Sequence, residues 1–257
     1  MRMDLFHAVI FGIVEGVTEF LPVSSTGHLI LTAKILGLSQ DNFLKSFDIV
    51  IQLGAIASVL VLYWRRFLLD RAALVRVAIA FAPSAVFGLV LYSSVKHLLG
   101  SSAVVVWSLL IGGIALIVFE LTHTEHSDAE KDVSVLSYRQ AAVIGLFQVI
   151  AMIPGVSRSA ATIIGGMISG LSRRTAVEFS FLLAVPTMAA ATGLDLMKNA
   201  GSFSGDQTIF LFVGFVVAFC TALASIVLLL RFVRAHTFVS FGIYRIVAAL
   251  VFLILIL

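Results

Sequence analysis

The sequence predicts an all-α integral membrane protein, one domain over 1–257, built as an inverted repeat with six transmembrane helices and two re-entrant helical hairpins. Composition is the first reason. Of 257 residues, 60% are hydrophobic and 12% charged, and the mean hydropathy of +1.12 lies outside the soluble globular range. The second reason is that two apolar stretches are broken by short Pro-containing polar tips, leaving arms below the roughly 20 residues that cross a bilayer core. The third is self-similarity. Gly12-Ile-Val-Glu15 resembles Gly145-Leu-Phe-Gln148, the Pro22 tip precedes the Pro154 tip by 132 residues, and Phe47 and Ala57 precede Phe179 and Ala189 by the same interval.

In chain order, Asp4 to Leu21 is mostly apolar but carries Glu15 and Glu19, Pro22 ends that helix, and His28 to Leu38 is too short to span. Together they read as a re-entrant hairpin, its tip sheltered by protein or water because lipid cannot satisfy free backbone groups. Ser39 to Ser46 reads as a polar connector, and Phe47 to Trp64 as the first span. Arg65, Arg66, Arg71 and Arg76 mark the following loop and helix start, and Leu74 to Ser93 spans with a kink at Pro83. Lys96 to Ser102 is a turn and Ala103 to Leu121 the third span. Thr122 to Ser137 is strongly hydrophilic and reads as a surface loop joining the two repeats, about 1–121 and 138–257. In the second repeat Tyr138 to Ile153 and Ala160 to Leu171 flank the tip from Pro154 to Ser159 as a second hairpin. Val177 to Met197, Gln207 to Leu230 and Phe238 to Leu257 are its spans.

Three spans per half is an odd number, so the second half enters the membrane from the opposite side and the two tips meet inside. Basic residues orient the whole. With the loop after Trp64 placed inside, Arg65, Arg66, Arg71, Arg76, Lys131, Arg139, Arg173, Arg174, Arg231 and Arg234 are cytoplasmic, and only Arg2, Lys34, Lys45, Lys96 and Lys198 are outside. Both termini then lie outside, the first hairpin enters from outside and the second from the cytoplasm. Arg158 and Arg245 remain at membrane depth, where a charge is a functional candidate; Arg245 reads as packing between the last helix and the core. Gly112-Gly113 and Gly165-Gly166 read as close helix contacts.

Several classes are excluded. The apolar start is interrupted by Glu15 and Glu19 and has no small-residue cleavage site, so no cleavable signal peptide is expected. A single Cys220 leaves no intrachain disulfide framework and no Cys-rich metal site. A net charge of +3 makes no case for nucleic acid.

The reactive residues concentrate in Glu15 to His28, E-G-V-T-E-F-L-P-V-S-S-T-G-H. Glu15 and Glu19 are spaced i, i+4 and share a helix face. Ser24, Ser25 and Thr26 follow on a turn that Gly27 leaves free to bend. The second tip supplies Ser157, Arg158, Ser159 and, one turn on, Thr162. A guanidinium flanked by hydroxyls at a helix start is a phosphate cradle. An anion held there could be attacked by a hydroxyl of Ser24, Ser25 or Thr26, with Glu19 or His28 taking the proton, Ser25 being favoured for its place in mid-tip. Alternatively Glu15 and Glu19 hold a divalent cation, Mg2+ or Ca2+, since hard oxygen ligands suit those ions.

These two motifs, with P-G-V-S-R-S-x-x-T from Pro154 to Thr162, closely resemble the bacterial undecaprenyl pyrophosphate phosphatases of the bacitracin-resistance type. The resemblance runs essentially end to end, including F-S-F-L-L-A-V-P from Phe179 to Pro186 and Tyr244-Arg245. It implies an enzyme of the bacterial cytoplasmic (inner) membrane that releases phosphate from the lipid pyrophosphate carrier, recycling it for peptidoglycan and other envelope polymers. It also implies a site open toward the outer, periplasmic face. By motif position Glu15, Glu19, Ser25, His28 and Arg158 inherit catalytic roles, and Ser24, Thr26, Ser157, Ser159 and Thr162 serve phosphate binding. The partners are then a polyprenyl pyrophosphate lipid and the bilayer, with a homodimer admissible and no nucleic acid. Inverted repeats with broken helices are also a transporter architecture, so a flippase of a polyprenyl phosphate lipid is the alternative. A nucleophile and general base beside the anion site would favour hydrolysis.

Overall fold

The computed structural model describes residues 3–39, 41–91, 98, 101–124, 132–199 and 205–256. These are helical nearly throughout: α1 Leu5–Thr18, α2 Ser25–Ile35, α3 Asn42–Leu62, α4 Trp64–Leu69, α5 Arg71–Val90, α6 Ser102–Thr122, α7 Tyr138–Ile150, α8 Arg158–Ile168, α9 Arg173–Asn199, α10 Gly205–Phe232 and α11 Val239–Ile256. Arg2, Gln40, Ser93, Lys96, Asp128, Lys131 and Leu257 lie outside the described residues, as does the side chain of Lys198.

Five helices, α3, α5, α6, α9 and α10, are long and apolar enough to cross a membrane. The sixth expected span forms α11, whose 18 residues rise about 27 Å, short of the usual crossing length. Capping explains where several helices start. Asp4 accepts from His7 N–H at 3.0 Å and opens α1; Asp41 accepts from Leu44 N–H at 2.8 Å, so α3 begins at Asn42 within the expected connector. Asp70, Ser137 and Ser157 cap α5, α7 and α8 in the same way. The arginine-rich loop after Trp64 contains a short helix, α4, and α5 continues through Pro83.

Helix ends also move at the first tip. The helix ends at Thr18, with Glu19 as its cap, four residues before Pro22, and the next begins at Ser25. Gly27 therefore sits inside α2, where an added Cβ would stand 3.3 Å from Leu109 Cδ1 of α6. The conformational demand falls instead on Ser24, the one non-glycine residue with positive φ (71°) among those described.

Each hairpin leans on the opposite half. The first, α1–α2, packs through α1 against α10, where Gly12 lies against the Gly214 carbonyl and Gly16 against Thr221 and Ala218; the second, α7–α8, packs through α7 against α5, where Gly145 lies against the Ala80 carbonyl. Gly113 of α6 similarly meets the Gly242 carbonyl of α11, and Gly166 meets Ala176, while Gly165 takes the Phe147 ring. The largest buried cluster runs from Phe20 at the first tip through Phe179, Phe181 and Leu183 of α9 to Ile226 and Phe238, and Phe20 meets Phe181 edge-on with centroids 5.2 Å apart.

The described end of the polar loop is anchored, because Val133 and Leu136 are buried in that cluster. Arg66 bridges Asp70 at 2.6 Å and Asp132 at 3.1 Å, and Arg76 donates to the Leu136 carbonyl. Ser134, through its hydroxyl and its N–H, holds Asp132 down to about 2, with Arg66 adding to the effect.

Candidate active site

The two tips meet. Ser159 donates to the Phe20 carbonyl at 2.7 Å, and Ser157 reaches the Leu21 carbonyl at 3.5 Å. Turn bonds close the remaining backbone: Val23 N–H to the Leu21 carbonyl, and Val156 N–H to that of Ile153. Two helix N-termini, those of α2 and α8, begin at this junction. Both carry the positive end of a helix dipole, which is where an anion is held.

A chain of three side chains links the tips. Ser25 Oγ donates to Glu19 Oε2 at 2.5 Å, and Arg158 Nη2 donates to Glu19 Oε1 at 2.8 Å. All three are buried or nearly so. Arg158 Nη1 donates to the Ser180 carbonyl at 2.9 Å, its Cζ lies 5.9 Å from the Phe20 ring centre, and its Nε is buried without a partner. The carboxylate is thus set to accept the Ser25 proton while the guanidinium balances its charge.

Glu15, one turn before, is fully buried beside Glu19, and among the described residues no donor group reaches either of its oxygens. It lies in electrostatic reach of Glu19, Arg158 and Asp48, and Asp48 Oδ1 is likewise buried without a partner. Among the described residues no three His, Cys, Asp or Glu side chains form a metal-ligand set. Glu15 nonetheless fits a cation, as an orphaned hard oxygen donor, whereas both oxygens of Glu19 are engaged.

His28 is placed differently from a base on Ser25. Its Nδ1 lies 2.8 Å from the Ser24 carbonyl, which can only accept, so Nδ1 carries hydrogen; Nε2 lies 2.7 Å from Tyr244 Oη and accepts from it. The rings stack nearly parallel, 5° apart. With both nitrogens engaged, His28 ties α2 to α11.

The other hydroxyls serve the protein. Ser157 caps α8 through Ala160 N–H, and Ser159 holds Phe20. Thr162 Oγ1 lies 2.7 Å from Ser180 Oγ and so buttresses the partner of Arg158. Ser24 contributes its carbonyl to His28, and Thr26 is half-buried in the first turn of α2. Sequence reasoning gave no role to Asp48, Ser180 or Tyr244. Two signals were available: a lone charge inside an apolar span marks Asp48, and the 132-residue interval that pairs Phe47 with Phe179 also pairs Asp48 with Ser180. The same interval pairs Ser25 with Ser157 and Glu19 with Ala151.

The likeness to known proteins runs along nearly the whole chain. A protein of Wolinella succinogenes named undecaprenyl-diphosphatase is 49% identical over 251 residues, covering 98% of this chain and 98% of its own length. One of the same name from Aquifex aeolicus is 51% identical over 251 residues, covering 97% and 98%, and one from Bdellovibrio bacteriovorus is 48% identical over 253 residues, covering 98% and 96%. The profile of the family described as bacitracin resistance protein BacA matches residues 8–251, so that both tips, Tyr244 and Arg245 fall within it, and the chain belongs to the BacA family.

Proposed function

We propose that this protein hydrolyses undecaprenyl pyrophosphate to undecaprenyl phosphate and inorganic phosphate, with bacitracin resistance as the physiological correlate of its family. The observation that carries the reading is the Ser25–Glu19–Arg158 relay at the junction of two helix N-termini. A hydroxyl bonded to a carboxylate beside a fixed cation supports bond cleavage over transport of an intact lipid.

In the proposed reaction Ser25 Oγ attacks the terminal phosphorus and its proton passes to Glu19 Oε2. The bridging P–O bond breaks, undecaprenyl phosphate leaves with the bond's electron pair and takes the proton from Glu19, which returns to the carboxylate form, and a phosphoserine remains. Water, deprotonated by Glu19, then displaces the serine oxygen, which regains a proton as phosphate departs. Arg158 offers its Nε–H, with the α2 and α8 N-termini adding backbone donors, to the charge on the equatorial oxygens. Of the proposed ligand pair Glu15 and Glu19, Glu15 would hold a Mg2+ or Ca2+ ion, with Asp48 nearby, and Glu19 would join it only on releasing Ser25 or Arg158. When bound, such an ion would polarise the phosphoryl oxygens as a Lewis acid. His28 holds the turn that presents Ser25. The deciding experiment is phosphate release from a prenyl pyrophosphate by the purified protein; intact lipid moved between leaflets without phosphate release would point to the flippase instead.

We further propose six crossings and two re-entrant hairpins in the bacterial inner membrane, with the site open to the periplasm. The reciprocal packing of α1 on α10 and α7 on α5 supports the inverted repeat, and the ten-to-five distribution of basic residues supports the orientation. In a Cys220→Ala background, Asp128→Cys should resist an impermeant thiol reagent in intact cells and react after permeabilisation. Labelling before permeabilisation would reverse the orientation.

A further inference from the structure

Arg245 of α11 is 1% exposed and makes no ion pair among the described residues. Its guanidinium donates instead to four backbone carbonyls. Nε reaches Leu109 at 3.4 Å and Nη2 reaches Ser108 at 3.1 Å, both on α6. The other two belong to the tips: Nη1 lies 3.2 Å from the Pro22 carbonyl and Nη2 lies 3.2 Å from that of Gly155. Pro22 stands three residues before Ser25, and Gly155 three before Arg158.

The surroundings are shaped for this side chain. A Cβ on Gly112 would collide with Arg245 Nη2 and stand 2.9 Å from its Cζ, and one on Gly113 would stand 3.1 Å from its Cβ. Gly155, at φ +88°, is backed by the Val105 carbonyl, which a Cβ there would meet at 2.7 Å. Tyr244, the preceding residue, holds His28. Packing alone does not call for an arginine, because a buried charge without a counter-ion is costly. Broken backbone at membrane depth, however, leaves carbonyls that need donors, and a planar guanidinium supplies several in fixed directions. Charge-assisted bonds are also about twice as strong as neutral ones.

We propose that Arg245 is a positioning residue for phosphoryl transfer: it holds the Pro22 and Gly155 carbonyls on one rigid fork and so fixes the distance between the tip carrying Ser25 and the tip carrying Arg158. It rests on the hydrolytic reading above. Displacement of one tip against the other by about 1 Å is enough to cost about a hundredfold in rate.

The test measures kcat and KM for phosphate release from a short-chain prenyl pyrophosphate, per folded molecule, in full-length Arg245→Met, Arg245→Lys and Gly112→Ala, beside Ser25→Ala. Arg245→Met should lower kcat about a hundredfold, with KM within about threefold of wild type. Arg245→Lys keeps the charge without the fork, and Gly112→Ala keeps the arginine but displaces it; each should lower kcat about tenfold with little change in thermal midpoint. The inference is overturned if the Lys and Gly112 variants both keep kcat within about twofold, or if every loss tracks the unfolded fraction, and these two variants decide it even if the Met variant fails to fold. Retention of activity by Ser25→Ala would instead sink the reading of the site, whatever Arg245 does.

Discussion

Ser25→Ala lowers kcat by about three orders of magnitude or more, equivalent to about 4 kcal/mol of barrier, while the protein still folds and binds its lipid. The size follows from what is removed. Ser25 carries the one hydroxyl at the tips that is hydrogen-bonded to a carboxylate among the described residues, whereas Ser24 lies at the strained turn and gives His28 its carbonyl. Ser24→Ala and Thr26→Ala are therefore expected to lose much less. Rapid acid quench of wild type should trap phosphoserine at position 25. Turnover of Ser25→Ala within about tenfold of wild type, a difference of about 1.4 kcal/mol, would leave direct attack by a water activated at Glu19 as the mechanism.

Arg158→Lys should lose about a hundredfold in kcat/KM although the charge is kept. Arg158 spends its donors along three directions in one plane: to Glu19, to the Ser180 carbonyl, and through Nε into the buried space at the tips. An ammonium group points its three donors tetrahedrally and cannot reproduce that fork. It either releases Glu19, which then holds an unbalanced charge beside Ser25, or leaves the Ser180 carbonyl bare. Measuring phosphate release over a range of substrate concentrations separates the two, and near-wild-type turnover would reduce Arg158 to a point charge.

Much of this was legible from residue types and spacing. A broken helix that carries two carboxylates and three hydroxyls can hardly face lipid, and the 132-residue interval named the partner tip. Helix ends were less legible because caps set them: Asp41 starts α3 before the apolar run begins, and α1 stops at Thr18 ahead of the proline. Side-chain direction was not legible. Ser157, Ser159 and Thr162 look like phosphate ligands in the sequence, yet docking of the tips turns their hydroxyls to the Leu21 and Phe20 carbonyls and to Ser180. His28 looks like a base until Tyr244, 216 residues away, occupies its second nitrogen. Such contacts join segments from opposite ends of the chain, and no local pattern encodes them.

The pairing of Ser25 with Ser157 bears on how such a molecule acquires a working side. Each hydroxyl stands at the start of the second helix of its hairpin, but only the first has a carboxylate before it; the corresponding residue of the second hairpin is Ala151, and Ser157 caps a helix instead. Two-fold architecture by itself is indifferent to direction and would offer the same reaction to both leaflets. On the proposed inverted repeat and reaction, the working side would then be set by a handful of side chains: Glu19 and Ser25 on one hairpin, and Arg158, where the first has Thr26, as the counter-charge on the other.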